Sequence, residues 1–277
     1  MMSRSQDGAG GIRPKAVTAL ALALALAGCG GSHGVPNSEA GTQESSGPSS
    51  TTLPTTTPPT TGATADSSLN PEAALDATLR LAVDKCTTLG FQRATAFLVS
   101  DGLAATVAHS FINDDGELSV AVLEVYDRHG EQYQASLIYL DPGRDVALLR
   151  VEEAPEVGFS WVGPGIEFGD SPIEASFVAF PSVDEPPAVQ SLEVLRAVKA
   201  TLDGEGRRSA LELSGTINTG DSGAPVFNQN GEVLGVVFAS SRLKLRGWAV
   251  AASEFQKALS SIEAAEEPIP FNCPPDL

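Results

Sequence analysis

The chain has 277 residues, and its 17 Lys and Arg against 35 Asp and Glu give a formal net charge of −18, which excludes the basic footprint of a nucleic-acid binder. Apolar residues make up 42%, ample for a packed core, while 27 Gly and 19 Pro point to many turns and away from a fibrous or wholly disordered chain. Without Arg4, Arg13, Lys15 and Asp7 the charge is −20, so anionic head groups would repel this surface and any membrane attachment has to be covalent.

Arg4, Arg13 and Lys15 form a positive region ahead of an apolar run from Ala16 to Ala27, too short to span a bilayer comfortably, that ends in Leu26-Ala27-Gly28-Cys29. This ending resembles the lipobox of bacterial lipoproteins. The resemblance implies a signal peptide over 1–28 and a mature N-terminus at Cys29 carrying a lipid, so that the chain is held on the outer face of a cell membrane. An ordinary signal peptide or an uncleaved short anchor is the alternative.

The segment 29–69 is rich in Ser, Thr, Pro, Gly and Ala, has no aromatic residue and includes Thr55-Thr56-Thr57-Pro58-Pro59. No core can form there, and the 39 residues from Gly30 to Ser68, as a coil, span on the order of 35 Å, a tether that lifts a domain clear of head groups. With Cys29 lipidated, Cys86 and Cys273 remain as a candidate disulfide in an oxidising compartment, two unpaired thiols being the alternative.

The folded part is then 70–277. Asn70-Pro71-Glu72 reads as a helix start, with Leu75, Leu79, Ala82 and Val83 on one face. Beyond Cys86, apolar runs bounded by turn residues read as strands of a first barrel: 95–99, 103–107, 118–126, 134–140 and 146–151. A second set follows at 173–180, 192–200, 210–213, 225–228, 233–239 and 248–251. Ser253-Glu254-Phe255-Gln256 is a capping-box pattern, and Phe255, Leu259 and Ile262 share a face of a terminal helix.

Three segments carry chemistry: Ala105-Thr106-Val107-Ala108-His109-Ser110, Arg144-Asp145-Val146-Ala147-Leu148-Leu149 and Thr219-Gly220-Asp221-Ser222-Gly223-Ala224-Pro225. Their order is His, Asp, Ser, with spacings of 36 and 77 residues. They resemble the chymotrypsin-like serine peptidases, and the likeness runs from about Ala94 to Ala258. It implies an all-β fold of two six-stranded antiparallel barrels with a short N-terminal and a C-terminal helix. It also implies Ser222 as nucleophile, His109 as general base, Asp145 as its orienting carboxylate, and the N–H groups of Gly220 and Ser222 as an oxyanion hole.

Elimination supports the base, because His33 lies in the tether and His129, in Asp127-Arg128-His129-Gly130, reads as a solvated turn residue. Thr216 corresponds by motif position to the base of the pocket for the side chain before the scissile bond, and Phe238 and Ala239 are expected to border it, ordinary core-strand positions being the alternative. Uncharged residues there favour a small or apolar substrate side chain. Ala224 replaces the usual second glycine after the nucleophile, and Asp221 calls for a partner, either an internal Arg or Lys or an amine released by cleavage between Leu69 and Arg93.

The function these residues imply is a serine endopeptidase acting on protein or peptide substrates, with no metal or organic cofactor. A peptidase-fold lipoprotein that binds or senses without turnover is the alternative. Oligomeric state is not encoded in any motif.

Overall fold

The computed structural model describes residues 70–86, 91–100, 102–163, 171–180, 185–202, 205–241, 245–262, 267–271 and 273. The expected leader 1–28, the expected lipidation site Cys29 and the expected tether 29–69 lie outside them. The expected helix start is present: Asn70 precedes α1 (Pro71–Asp76), and its side chain accepts a hydrogen bond from Ala73 N–H at 2.8 Å. The helix ends sooner than the spacing of Leu75 and Leu79 suggests. From Thr78 the apolar residues alternate, so Leu79, Leu81 and Val83 are buried as one face of a strand, β1 (Thr78–Asp84).

Next come β2 (Phe91–Ser100), β3 (Leu103–Thr106), a single 3₁₀ turn at Ala108–Ser110, β4 (Val122–Tyr126), β5 (Gln132–Tyr133), β6 (Ala135–Asp141) and β7 (Val146–Val151). They form a curled antiparallel sheet in the order β5-β4-β1-β2-β3-β7-β6, with β1 paired to both β2 and β4.

After β8 (Ser160–Trp161), the second sheet is built from β9 (Ile173–Ala179), β10 (Ala188–Leu202), β11 (Glu205–Ser214), β12 (Pro225–Phe227), β13 (Glu232–Ser241) and β14 (Arg246–Ala251). Its order is β12-β9-β10-β11-β14-β13-β8, and a β12–β13 pairing closes it on itself. The result is the all-β, two-barrel architecture the motifs imply. Each sheet counts seven strands rather than six, the surplus being the two-residue strands β5 and β8.

Packing locks the two sheets at a fixed relation. Phe97 of β2 meets Phe159 edge-on with ring centres 5.5 Å apart, and Phe159 in turn lies 5.3 Å from Phe227 of β12. Trp161 stacks at 5.3 Å on Phe255 of the terminal helix α2 (Ala252–Ser261). Such buried aromatic contacts stabilise by about 0.5–1.5 kcal/mol each beyond the area they bury. Ser253 sits inside α2 rather than capping it, and no side chain caps that helix.

Cys86 and Cys273 form a disulfide with Cα atoms 5.4 Å apart, 187 residues distant in sequence. It fastens the C-terminal tail just past the end of β1, and Ile269 N–H adds a hydrogen bond to the Leu137 carbonyl. No helix among the described residues is long and apolar enough to cross a membrane.

Candidate active site

His109 is delivered by the buried strand β3 and held in the 3₁₀ turn that follows it. Lys85, one residue past β1, donates from Nζ to the carbonyls of His109 at 2.8 Å and Ile112 at 2.7 Å. Burial lowers the Lys85 pKa, with the charge of Asp114 opposing. Those carbonyl bonds fix the backbone on which the imidazole stands.

Asp145 closes the turn between β6 and β7. It adopts φ +60°, a left-handed conformation uncommon for a residue with a side chain, and Asp tolerates it better than most. The turn aims its carboxylate inward to 1% exposure. Oδ1 accepts the backbone N–H of His109 at 2.8 Å, while the ring Nδ1 lies 3.0 Å from Oδ2 and 3.2 Å from Oδ1. A proton on Nδ1 is thereby satisfied, which leaves Nε2 as the basic nitrogen. Asp141, the acidic neighbour, instead caps the turn by accepting Arg144 N–H at 2.9 Å.

A third group converges on Asp145. Arg208 of β11, only 1% exposed, places Nη1 3.3 Å from Oδ2 of Asp145, and its guanidinium carbon sits 5.5 Å from the ring centre of Phe238. Its Nε and Nη1 have no aligned hydrogen-bond acceptor, so the contact is an ion pair rather than a fork. The sequence reading missed this residue. Its only signal was a second arginine after Arg207 entering an apolar run, Ala210 to Leu213.

Ser222 comes from the second barrel, on the loop between β11 and β12, and is half-buried. The loop folds as it does because two glycines take positive φ, Gly220 at +100° and Gly223 at +89°. A Cβ on Gly223 would stand 1.8 Å from the Thr95 carbonyl oxygen and 2.4 Å from Thr106 Oγ1. The loop is stitched to the first barrel: Thr95 N–H donates to Ser222 O at 2.7 Å, Thr95 Oγ1 to Gly220 O at 2.9 Å, and Thr106 Oγ1 to Thr95 O at 2.7 Å. Thr106 is three residues before His109, so these bonds bring the serine loop to the histidine segment.

Within the loop, Asp221 N–H donates to Asn218 O, Gly223 N–H to Val237 O and Ala224 N–H to Asp221 O. Among the described residues the N–H groups of Gly220 and Ser222 have no acceptor. Two unused donors flanking a hydroxyl are the arrangement an oxyanion requires. The Ser222 hydroxyl makes no hydrogen bond to the His109 ring, a contact that in unliganded sites often tightens only with substrate.

Ser222 and Gly220 line a hollow of about 240 Å³ with Phe238 and Ala239, as the motif implies, together with Arg93 and Ser240. Thr216 is exposed and outside that lining, and its neighbour Ile217 takes part instead. His109 and Asp145 border a second hollow of about 370 Å³ with Lys85 and Arg208. His129 lies in an exposed turn beside Arg128.

Asp221 differs from expectation. Its carboxylate is 1% exposed and accepts Asn218 N–H at 2.7 Å, and no Arg or Lys among the described residues contacts it. Burial pushes its pKa up to about 6, opposed by the Asn218 bond. The loop folds back on itself, so the partner this carboxylate meets among the described residues is a backbone amide rather than an Arg or Lys. Ala224 raises no conflict, because its methyl is fully buried in the core of the second barrel. No cluster of three His, Cys, Asp or Glu able to hold a metal exists among the described residues.

Residues 94–236 match the family described as trypsin-like peptidase domain, and the chain belongs to that family. A probable periplasmic serine endoprotease, DegP-like, of Chlamydia trachomatis is 26% identical over 52% of this chain and 27% of its own length. Human serine protease HTRA3 is 25% identical over 51% of this chain and 32% of its own. The chain thus spans about a third or less of these curated relatives. Among solved structures, the active form of the Rv3671c protease of M. tuberculosis superposes with a TM-score of 0.63 at 21% identity, covering 74% of this chain and 89% of that one.

Proposed function

We propose that this chain is a serine endopeptidase in which Ser222, His109 and Asp145 act as the triad. The observation that carries the reading is the His109–Asp145 pair, a buried carboxylate 3.0 Å from Nδ1 that also binds the backbone N–H of the same histidine. It holds the ring with Nε2 as the free base. In the reaction, Ser222 Oγ attacks a substrate carbonyl as His109 Nε2 takes the hydroxyl proton. The oxyanion accepts hydrogen bonds from the N–H groups of Gly220 and Ser222. His109 returns the proton to the leaving amine, and water then repeats the sequence on the acyl-enzyme.

The hollow containing Phe238 and Ala239 takes the substrate side chain in this reading. Residues 1–28 act as a signal peptide, lipid on Cys29 anchors the chain to the outer face of a cell membrane, 29–69 forms the tether and 70–277 is the peptidase domain. The extracytoplasmic placement is supported by the Cys86–Cys273 disulfide, and a relative described as periplasmic points the same way.

A non-catalytic binding role is the second reading, and the missing Ser222–His109 hydrogen bond is what favours it. Labelling of the full chain with a fluorophosphonate separates the two. Covalent labelling of wild type, lost in Ser222→Ala and His109→Ala, is the expected result; a folded wild type that takes no label selects the binding role.

A further inference from the structure

We infer that Arg208 is a positioning residue for the triad, a fixed cation from the second barrel that holds the buried carboxylate of Asp145 on behalf of His109. The inference rests on the triad reading. A carboxylate 1% exposed is costly to keep charged without compensation, and a neutral imidazole supplies hydrogen bonds but no countercharge. A general base must be neutral before it acts. In that resting state Arg208 is the one cation that contacts the Asp145 carboxylate among the described residues, with Nη1 3.3 Å from the oxygen that faces His109 Nδ1.

The same guanidinium reaches the other half of the site. Arg208 lies against the face of Phe238, and Phe238 lines the hollow that contains Ser222. His109 and Asp145 belong to the first barrel, and Arg208, Phe238 and Ser222 belong to the second. The arginine therefore joins the carboxylate that holds the base to a wall of the hollow that contains Ser222.

A parallel link runs beside it. Arg144, adjacent to Asp145, lies 3.8 Å from Glu254, whose Oε1 accepts the N–H of Ser209, adjacent to Arg208. Two consecutive residues of one barrel are thus linked to two consecutive residues of the other, directly at Asp145–Arg208 and through Glu254 at Arg144 and Ser209. Only the Arg208 link ends on the carboxylate that touches the histidine. The Glu254 link serves as an internal comparison, because it joins the same two segments without touching the triad.

The test is the rate constant for fluorophosphonate labelling of the full chain, with thermal unfolding measured on each variant. Arg208→Met keeps the aliphatic stem and removes the charge, and the expected loss is about 100-fold. Because the contact is an ion pair without fork geometry, Arg208→Lys is expected to recover the rate to within about 10-fold of wild type. Glu254→Gln is expected to lower the unfolding temperature yet leave labelling within about 3-fold of wild type. A role in packing alone predicts that Lys and Met behave alike at temperatures where both are folded, and that result overturns the inference. Arg208→Met labelled within about 3-fold of wild type also overturns it. If wild type itself takes no label, the peptidase reading falls and this inference with it, and the wild-type sample distinguishes that case from the others.

Discussion

The two halves of the site are held by different physics. On the first barrel, His109 is fixed by charged and polar side chains: the Asp145 carboxylate from one side, Lys85 gripping the backbone carbonyls beneath, and Arg208 behind the carboxylate. On the second barrel, Ser222 is fixed by backbone hydrogen bonds, by Gly223, whose Cβ position is forbidden, and by the left-handed turn at Gly220. One half is tuned by electrostatics and the other is set by sterics. A substitution that conserves shape should therefore damage the first half, and one that adds a single methyl should damage the second.

The largest effect is expected at Gly223. Alanine there brings a Cβ within 1.8 Å of the Thr95 oxygen and meets φ +89°, so strand β2 and the serine loop cannot both keep their places. Gly223→Ala should destabilise the chain by roughly 3 kcal/mol or more and abolish labelling. Chemical denaturation checks it, and an unchanged midpoint with normal labelling removes the steric account of the loop.

Next comes Asp145→Asn, which conserves shape. An amide NH₂ facing Nδ1 favours the wrong tautomer, and a loss of about 10³- to 10⁴-fold in labelling rate is expected with the fold retained. The contrast between the two variants is the test of the comparison. If Asp145→Asn unfolds the chain as Gly223→Ala does, the carboxylate is a structural linchpin first and an orienting group second.

Most of this was legible in the sequence because catalytic segments are local. The His, Asp and Ser motifs each occupy a few adjacent residues, and the apolar runs around them match the observed strands within a few positions. Two things were hidden. Leu75 and Leu79 share a helical face and Leu79, Leu81 and Val83 share a strand face, so the local pattern supports both assignments. Tertiary pairing of β1 with β2 and β4 decides for the strand. Arg208 was hidden for another reason: its meaning lies in a contact with a residue of the other barrel, and no local periodicity reports such a contact. At Asp221 the motif calls for a cation, and among the described residues no Arg or Lys contacts it; its carboxylate accepts the Asn218 N–H, a contact set by the turn of the loop.

The smallest effect, and the one most sensitive to sign, is at Asp221, a charged group buried within the serine loop itself. Its folded pKa of about 6 stands above the unfolded value of 3.8. The folded state thus binds the proton more tightly, and stability falls as pH rises from about 4 to about 6, where the unfolded chain has lost the proton and the folded chain is made to lose it. Asp221→Asn keeps an oxygen to accept Asn218 N–H and has no charge to bury. It should be more stable than wild type above pH 6, by about 1–2 kcal/mol, and no more stable at pH 4. Thermal unfolding of both chains from pH 4 to 8 reads this directly, each kcal/mol moving the midpoint by about 2–4 °C in a domain of this size. A variant less stable than wild type at pH 7.5 would mean that the ionised carboxylate stabilises the loop. Charge would then hold both halves of the site, and the division between them would be one of degree.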